Sequence, residues 1–474
     1  MQKTKGFLHT FILFIYRKAG DIHLNNKKKK DKNIDYYTSK TVINNSHPLY
    51  SYLYEYCKSS KNLYNATLFR LRQNFTARNK ESLSDNEKEV VQEINKVIEK
   101  YSDYKVPKSI IPYKFLEKQM RVTNNPDFFS GLPMQTSQLI LKDAIRDFKG
   151  WLSALKSYKE DSSKFLGKPK MPNYKQSEIS MVKFTNQDCV LRDGILKFPK
   201  TDITLSLPNI DGDLQEVQIK PYYGNFIVLV VYGKERVKKS VGKYICGIDI
   251  GVNNLVALID NKNSCLLYKG EIIKSYNQYY NKEKARLMSC LEKCQNSSYV
   301  NTKRLLQLSK KRDAYIKDYM HKVSSDIISH CLNNEIGTVV IGKNKGWKQN
   351  INIGHINNQN FVSIPFNILI AMIQYKAERE GIKVIIREES YTSKASFLDD
   401  DLIPNYNEIT TPLFSGRRIQ RGLYKSKDGV VINADLNGAG NILRKEFPDA
   451  FKSPNKKDIL NNIIVKNIQN INKK

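Results

Sequence analysis

Three places in the 474-residue sequence hold acids where acids are out of keeping with their surroundings. Asp249 interrupts an apolar run, YICGIDIGVNNLVALID over residues 244–260, which has the composition of two buried strands. A carboxylate inside a β-core has to be neutralised or bound to something. Side chains alternate along a strand, so Asp249 shares its face with Gly247 and Gly251, and this spacing predicts open space for a metal ion and a sugar–phosphate backbone. Asp435 lies in NADLNGAG, in the first turn of a predicted helix with Asn433 as N-cap, where the helix dipole favours an ionised carboxylate. Gly438, Ala439 and Gly440 would let that helix approach a sheet closely. The third acid comes from KVIIREE: Glu388 and Glu389 are neighbours at a strand end, and at most one of them faces the site. Two-metal phosphodiester hydrolysis uses about three such acids, one ion activating water and the other stabilising the leaving oxygen, and carboxylate oxygens suit Mg²⁺.

The elements that must position these acids follow from periodicity. Strands are expected over 244–260, 264–273, 338–342 and 383–389, and helices over 276–333 (interrupted near 296–299), 365–380 and 433–445. Three strands, helix, strand, helix, strand, helix is the ribonuclease-H-like α/β plan. Upstream, Leu49, Leu53, Tyr56, Leu63, Leu68 and Leu71 recur at helical spacing, as do Ile140, Ala144, Phe148 and Leu152. Residues 179–232 alternate as strands, with Asp193–Gly194 as a hairpin turn, and predict a small barrel or sheet. The expected organisation is an N-terminal segment (1–46, disordered in part or a first strand of the barrel), a helical domain (47–163), a β-barrel domain (164–236), an α/β domain (237–446) and a flexible tail (447–474).

Charge indicates the partner. Lys and Arg number 78 against 47 Asp and Glu, a net charge of +31, which suits DNA or RNA. Arg70 and Arg72 flank a helical stripe. Residues 164–175, KFLGKPKMPNYK, form an extended basic stretch in which Lys164, Lys168, Lys170 and Lys175 with Tyr174 suit a phosphate backbone. The seven cysteines are scattered and form no CxxC pair, which fits a reducing cytosol. The apolar run at 6–16 is too short to span a bilayer and has no small-residue cleavage site after it, and no membrane role is expected. The lysine run at 27–30 reads as a solvated tail.

Taken together, LPMQTSQLILKDAIRDFK, GKPKMPNYK, GIDIGVNNLVAL, VVIGKNKGWKQ, IPFNILIAMIQYKAEREGIKV, ESYTSKASFLD and RGLYKSKDGVVINADLNGAGNILRK resemble, in this order, the transposon-encoded TnpB (OrfB) nucleases, relatives of the type V CRISPR effectors. The resemblance runs from about Leu49 to Arg444. It implies a RuvC-type nuclease domain, helical recognition and β-barrel wedge domains, a guide RNA, a double-stranded DNA target and prokaryotic, nucleoid-associated cytoplasmic localisation. Lys348 in the GWKQ motif joins the candidate nucleic-acid contacts.

Two departures stand out. The family's usual Glu position after the middle strand is Gly342 here. Some relatives, including the Fanzor proteins, place this Glu on the next strand before the TSK motif. That placement selects Glu389, three residues before Thr392, over Glu388, and Gly342 vacates space for it. The family's zinc ribbon is altered as well. Ser396 stands where a cysteine is expected, and no cysteine follows Cys331, so the insert 397–431 is expected to fold without zinc. Its Arg417, Arg418, Arg421 and Lys425 are candidate nucleic-acid contacts.

The acids and the resemblance together imply an RNA-guided DNA endonuclease with Asp249, Glu389 and Asp435 holding two Mg²⁺. Its rivals are a nuclease-dead, RNA-guided repressor and a guide-independent transposon nuclease.

Overall fold

The protein is described here by a computed structural model. It describes residues 34–468 except 108–109, 208–209, 236–238, 240–241, 295–301, 345–362, 407, 409–411 and 453–455. The apolar run at 6–16, the lysines at 27–30 and Lys348 lie outside the described residues. The chain divides into two compact units at Arg236/Val237. Among the described residues no helix is long and apolar enough to cross a membrane.

The first unit starts with strand β1 (Ile34–Ile43), followed by helices α1 (Leu49–Thr76), α2 (Asp85–Lys100), α3 (Tyr113–Val122) and α4 (Met134–Glu160). Strands β2 (Val182–Thr185), β3 (Val190–Arg192), β4 (Ile195–Lys197), β5 (Thr204–Ser206), β6 (Asp213–Tyr222) and β7 (Asn225–Glu235) complete it. They form an antiparallel four-stranded sheet, β1-β7-β6-β2, and a three-stranded one, β3-β4-β5. Asp193 (φ 49°) and Gly194 (φ 70°) make the tight β3–β4 turn that their types predict. The leucine stripe of α1 and the Ile140–Ala144–Phe148 stripe of α4 are buried in the same core as Phe184, Val217 and Val228 of the sheet. Helices and strands in this unit thus share one interior: Tyr56 packs on Phe184, and Ser60 Oγ donates to the Met181 carbonyl at 2.9 Å. The 163/164 boundary expected from composition runs through that interior.

The second unit begins with three antiparallel strands, β8 (Tyr244–Asp249), β9 (Asn254–Asp260) and β10 (Cys265–Lys269). Helices α5 (Glu271–Cys294) and α6 (Lys303–Asn333), strand β11 (Ile336–Gly342), helix α7 (Phe366–Arg379) and strand β12 (Lys383–Arg387) follow. Then come β13 (Arg417–Gln420), β14 (Leu423–Lys425), β15 (Val431–Asn433), helices α8 (Ala434–Glu446) and α9 (Lys456–Asn461), and β16 (Ile463–Lys466). The main sheet runs β12-β11-β8-β9-β10-β16, with β11 parallel to both β8 and β12. One face, with Cys246 and Ile248, packs on α6 and α7; the other, with Ala257, Ile259 and Val340, packs on α8.

Two expectations for this unit are corrected. The third strand ends at Lys269, and α5 begins at Glu271. The described part of the tail, expected to be flexible, packs on the sheet: Ile459 and Leu460 are buried, and β16 adds to the sheet parallel to β10, Cys265 opposite Ile463. Asn and Lys dominate the composition there, but the backbone of Ile463–Lys466 pairs with the free edge of β10, while the Ile463, Ile464 and Val465 side chains stay exposed. In the insert, β13-β14-β15 form a small antiparallel sheet. Ser396 is buried, and its Oγ donates to Asp399 at 2.5 Å, while Ser415 Oγ donates to Asp401 at 2.6 Å. Tyr424, fully buried, donates to the Lys394 carbonyl at 2.7 Å. Hydroxyls, carboxylates and one aromatic ring thus tie the insert together.

Candidate active site

Asp249 is the last residue of β8, Glu389 lies two residues beyond β12, and Asp435 is the second residue of α8. Because β8, β11 and β12 are parallel, Asp249 and Glu389 leave the sheet at the same edge. Helix α8 crosses that face and brings Asp435 to it. Asn433 caps α8 by accepting from the N–H groups of Asp435 (2.9 Å) and Leu436 (3.1 Å), which fixes where the helix starts. Asn254, the first residue of β9, donates to Asp435 Oδ2 at 2.8 Å.

Glycines make the room. A Cβ on Gly342 would lie 2.9 Å from Glu389 Oε2, and one on Gly438 would lie 2.6 Å from Asp249 Oδ2. The Asp249 carboxylate takes the space a side chain at Gly438 would fill, and Glu389 shares the space at Gly342 with Ile442, whose Cδ1 is nearer at 2.4 Å. The glycines beside Asp249 act differently from the expectation. A Cβ on Gly247 would meet the Ala439 carbonyl at 2.3 Å, so this glycine admits α8, not substrate. A Cβ on Gly251 would lie 2.8 Å from the Asn254 carbonyl in the turn to β9.

The two strand-end acids are electrostatically uncomfortable. Burial, then the charges of Glu389 and Asp435, push the Asp249 carboxyl up to about 8, against the pull of Arg418 and the Ile250 N–H. Burial, then Glu388, pushes Glu389 up to about 7. Glu388 points elsewhere. Its Oε2 receives the almost fully buried Lys445 ammonium at 2.5 Å and its Oε1 the Ser390 N–H at 2.8 Å. Against burial that would raise it, these partners hold the Glu388 carboxyl below the usual range. The runner-up acid is thus engaged in a structural pair.

Among the described residues, no three His, Cys, Asp or Glu side chains converge closely enough to hold one ion as they stand. The donor chemistry nevertheless fits a hard divalent cation: the acids near this edge supply only oxygen, and they repel one another. Beside them, Asn254 Oδ1 is a buried acceptor with no partner. Asn254 was not singled out by sequence reasoning, although it closes the GVNN run after Asp249.

The basic residues divide. Arg418 on β13 reaches Asp435 Oδ1 at 3.9 Å, so it stands at the acids. Arg417, Arg421 and Lys425 are exposed on the insert, and Lys168 and Lys170 on the extended segment. Lys164 is exposed and pairs with Asp161 at 3.0 Å. Three expectations are corrected. Arg70 is buried and forks onto Glu93 at 2.6 and 2.8 Å, because a buried guanidinium requires a carboxylate. Arg72 donates to the Pro172 carbonyl at 2.6 Å and stacks over Tyr174, so both side chains hold the extended segment on α1. Lys175 lies 3.7 Å above the Tyr64 ring, and burial lowers its ammonium to about 8. The extended segment is pinned, not free: Trp151 Nε1 donates to the Pro169 carbonyl and Asn65 brackets the Lys175 backbone.

Residues 229–348 match a family model described as a probable transposase, OrfB_IS605, and residues 366–442 match the Cas12f1-like TNB domain. The TnpB-like protein ORF457 of Acidianus two-tailed virus is 26% identical over 226 residues, 46% of this chain and 45% of that protein, so the match spans less than half of the relative. Two solved structures align at low similarity. One is a Cas12f1–sgRNA–target DNA complex (16% identity, 87% of this chain and 100% of that chain, TM-score 0.32). The other is the mini-RNA-guided endonuclease CRISPR-Cas_phi3 (11%, 87% and 92%, TM-score 0.43). The two family models are matched in order, the second across the segment that carries Glu389 and Asp435, and the chain is similar over part of its length to a TnpB-like protein.

Proposed function

We propose that the protein is an RNA-guided, Mg²⁺-dependent DNA endonuclease whose second unit is a ribonuclease-H-like, RuvC-type nuclease domain. Its first unit would serve as the helical recognition and β wedge region that holds guide RNA and target duplex. The observation that carries the reading is the pair of glycine clearings: Gly342 admits the Glu389 carboxylate and Gly438 that of Asp249, at the sheet edge where α8 presents Asp435. The strand order, with an antiparallel β8-β9-β10 meander and two parallel strands beyond it, supports the domain assignment.

In this reading Asp249, Glu389 and Asp435 hold the ions. Two Mg²⁺ bound there would supply a water nucleophile at neutral pH and stabilise the leaving oxygen. Asn254 orients Asp435, and Arg418, which stands 3.9 Å from Asp435, would be placed to meet a phosphate brought to the acids. Base pairing to the guide would select the target, while the protein reads a short motif and duplex shape.

The test is to purify the full chain with its flanking transcript, sequence the bound RNA, and assay cleavage of matched DNA with Mg²⁺ and with EDTA. The expected result is guide-dependent cleavage, lost with EDTA and in Asp249→Ala with DNA binding intact. Cleavage surviving in Asp249→Ala would overturn the site. Matched binding without cleavage in the unaltered protein would favour a repressor.

A further inference from the structure

Outside the acid site, helices α5 and α6 carry an aromatic groove that the proposed chemistry does not use. Tyr276 and Tyr315 stack face to face, ring centroids 4.2 Å apart and 10° from parallel. Tyr279 stands edge-on to Tyr276 at 6.1 Å and is 57% exposed. Glu271 and Ser275 complete the polar side of the groove. A large, exposed tyrosine beside an ordered stack offers a π-face to a flat partner.

Position and charge select the partner. Strands β8 and β10 run in the same direction, so α5 starts at the sheet edge where Asp249 ends β8. The Gly270 N–H donates to the Asn253 carbonyl at 2.7 Å, and a Cβ on Gly270 would meet the Val252 carbonyl at 2.2 Å. The groove therefore begins across the 250–253 loop from the acid. Lys282, three residues after Tyr279, and Lys311, four before Tyr315, are exposed neighbours on the same helix faces. Aromatic faces between lysines suit nucleotides, whose bases stack while their phosphates meet ammonium groups. Glu271 inside the groove disfavours a phosphate there and can accept from a base amino group.

We propose that the Tyr276–Tyr279–Tyr315 groove is a stacking shelf for an unpaired base of the DNA strand presented to the acids. This rests on the nuclease reading above. Tyr279 is the positioning residue, because it is the exposed member of the group.

The test uses the full chain with its RNA in an Asp249→Ala background, so that binding is read without chemistry. The probe is a 12-nucleotide single-stranded DNA bearing 5-iododeoxyuridine. Expected are a photocrosslink within residues 271–284 or 311–319, at least tenfold weaker binding in Tyr279→Ala, and near-parental binding in Tyr279→Phe, which keeps the ring. With Asp249 intact, Tyr279→Ala should slow cleavage of matched DNA at least tenfold. Binding in Tyr279→Ala within twofold of the parent, crosslinks confined elsewhere, or no binding by the parent would overturn the shelf. A concentration-dependent dimer that Tyr279→Ala disrupts without affecting the oligonucleotide would assign the groove to a second copy and also overturn it. If unaltered protein cuts nothing while Tyr279 still governs oligonucleotide binding, the nuclease reading fails and the shelf stands.

Discussion

At the scale of residues, the candidate site depends on which glutamate has a partner. Glu388 is tied to Lys445, whereas Glu389 lies half-buried in the clearing made by Gly342. Glu389→Gln should therefore lower cleavage by orders of magnitude, and Glu388→Gln should chiefly lower the melting temperature; full activity in Glu389→Gln would refute the assignment. Gly342→Ala should mimic the first variant, since its Cβ would press on both Glu389 and Ile442. Protonation gives a separate check. The folded chain holds protons on Asp249 and Glu389 that an unfolded chain releases in the ordinary carboxylate range, because their folded values are near 8 and 7. These acids thus cost the metal-free protein stability as pH rises through that window, and the cost is absent at low pH. The melting temperature should fall between pH 5.5 and 8.5 without divalent ions. Asp249→Asn should flatten the fall, and Mg²⁺ should raise the melting temperature more at pH 8.5 than at 5.5. Equal Mg²⁺ shifts at both pH values would argue against these carboxylates as ligands.

At the scale of elements, α8 is the part whose docking is least tolerant. It meets β8 where Gly247 abuts the Ala439 carbonyl, and Gly440 receives the Phe397 ring. Backbone cannot swing aside as a side chain can, so Gly247→Ala should cost about 1–3 kcal/mol, read by thermal or denaturant unfolding. The same substitution moves Asp435 relative to Asp249 and should lower activity beyond what stability explains. The C-terminal α9–β16 pair makes a different prediction. Ile459 is fully buried, so Ile459→Ala should cost about 2–5 kcal/mol; a negligible change would mean that this segment does not pack on the sheet in solution.

At the scale of the whole molecule, the excess of basic residues is only partly available to nucleic acid. Arg70, Arg72 and Lys175 direct their donors to Glu93, Pro172 and the Tyr64 ring. Alanine at Arg70 should destabilise the fold with no specific effect on binding, since it strands Glu93 in the interior. By contrast, Arg417→Ala and Arg421→Ala should weaken nucleic-acid binding at unchanged stability. The salt dependence of binding should also become shallower, by about one unit in slope for each phosphate that an arginine no longer neutralises. A titration of affinity against salt separates the two groups.

What the sequence determined by itself was local in origin. The apolar runs, the Asp193–Gly194 turn, the Asn433 cap and the order of strands and helices around Asp249 follow from side-chain periodicity and capping chemistry, which act over a few residues. Gly342 stood out only through the family resemblance, as the position where the usual Glu is missing. Other features could be decided only by tertiary packing. Gly247 and Gly438 look alike in sequence, yet one admits a helix backbone and the other a carboxylate. Glu388 and Glu389 are chemically identical neighbours, separated only by which one meets Lys445. The arginines of α1 look like surface charges until Glu93 and Pro172 arrive from elsewhere in the chain. The reason is the same in each case: what a side chain does at a site depends on partners distant in sequence, and only packing brings them within a few ångströms.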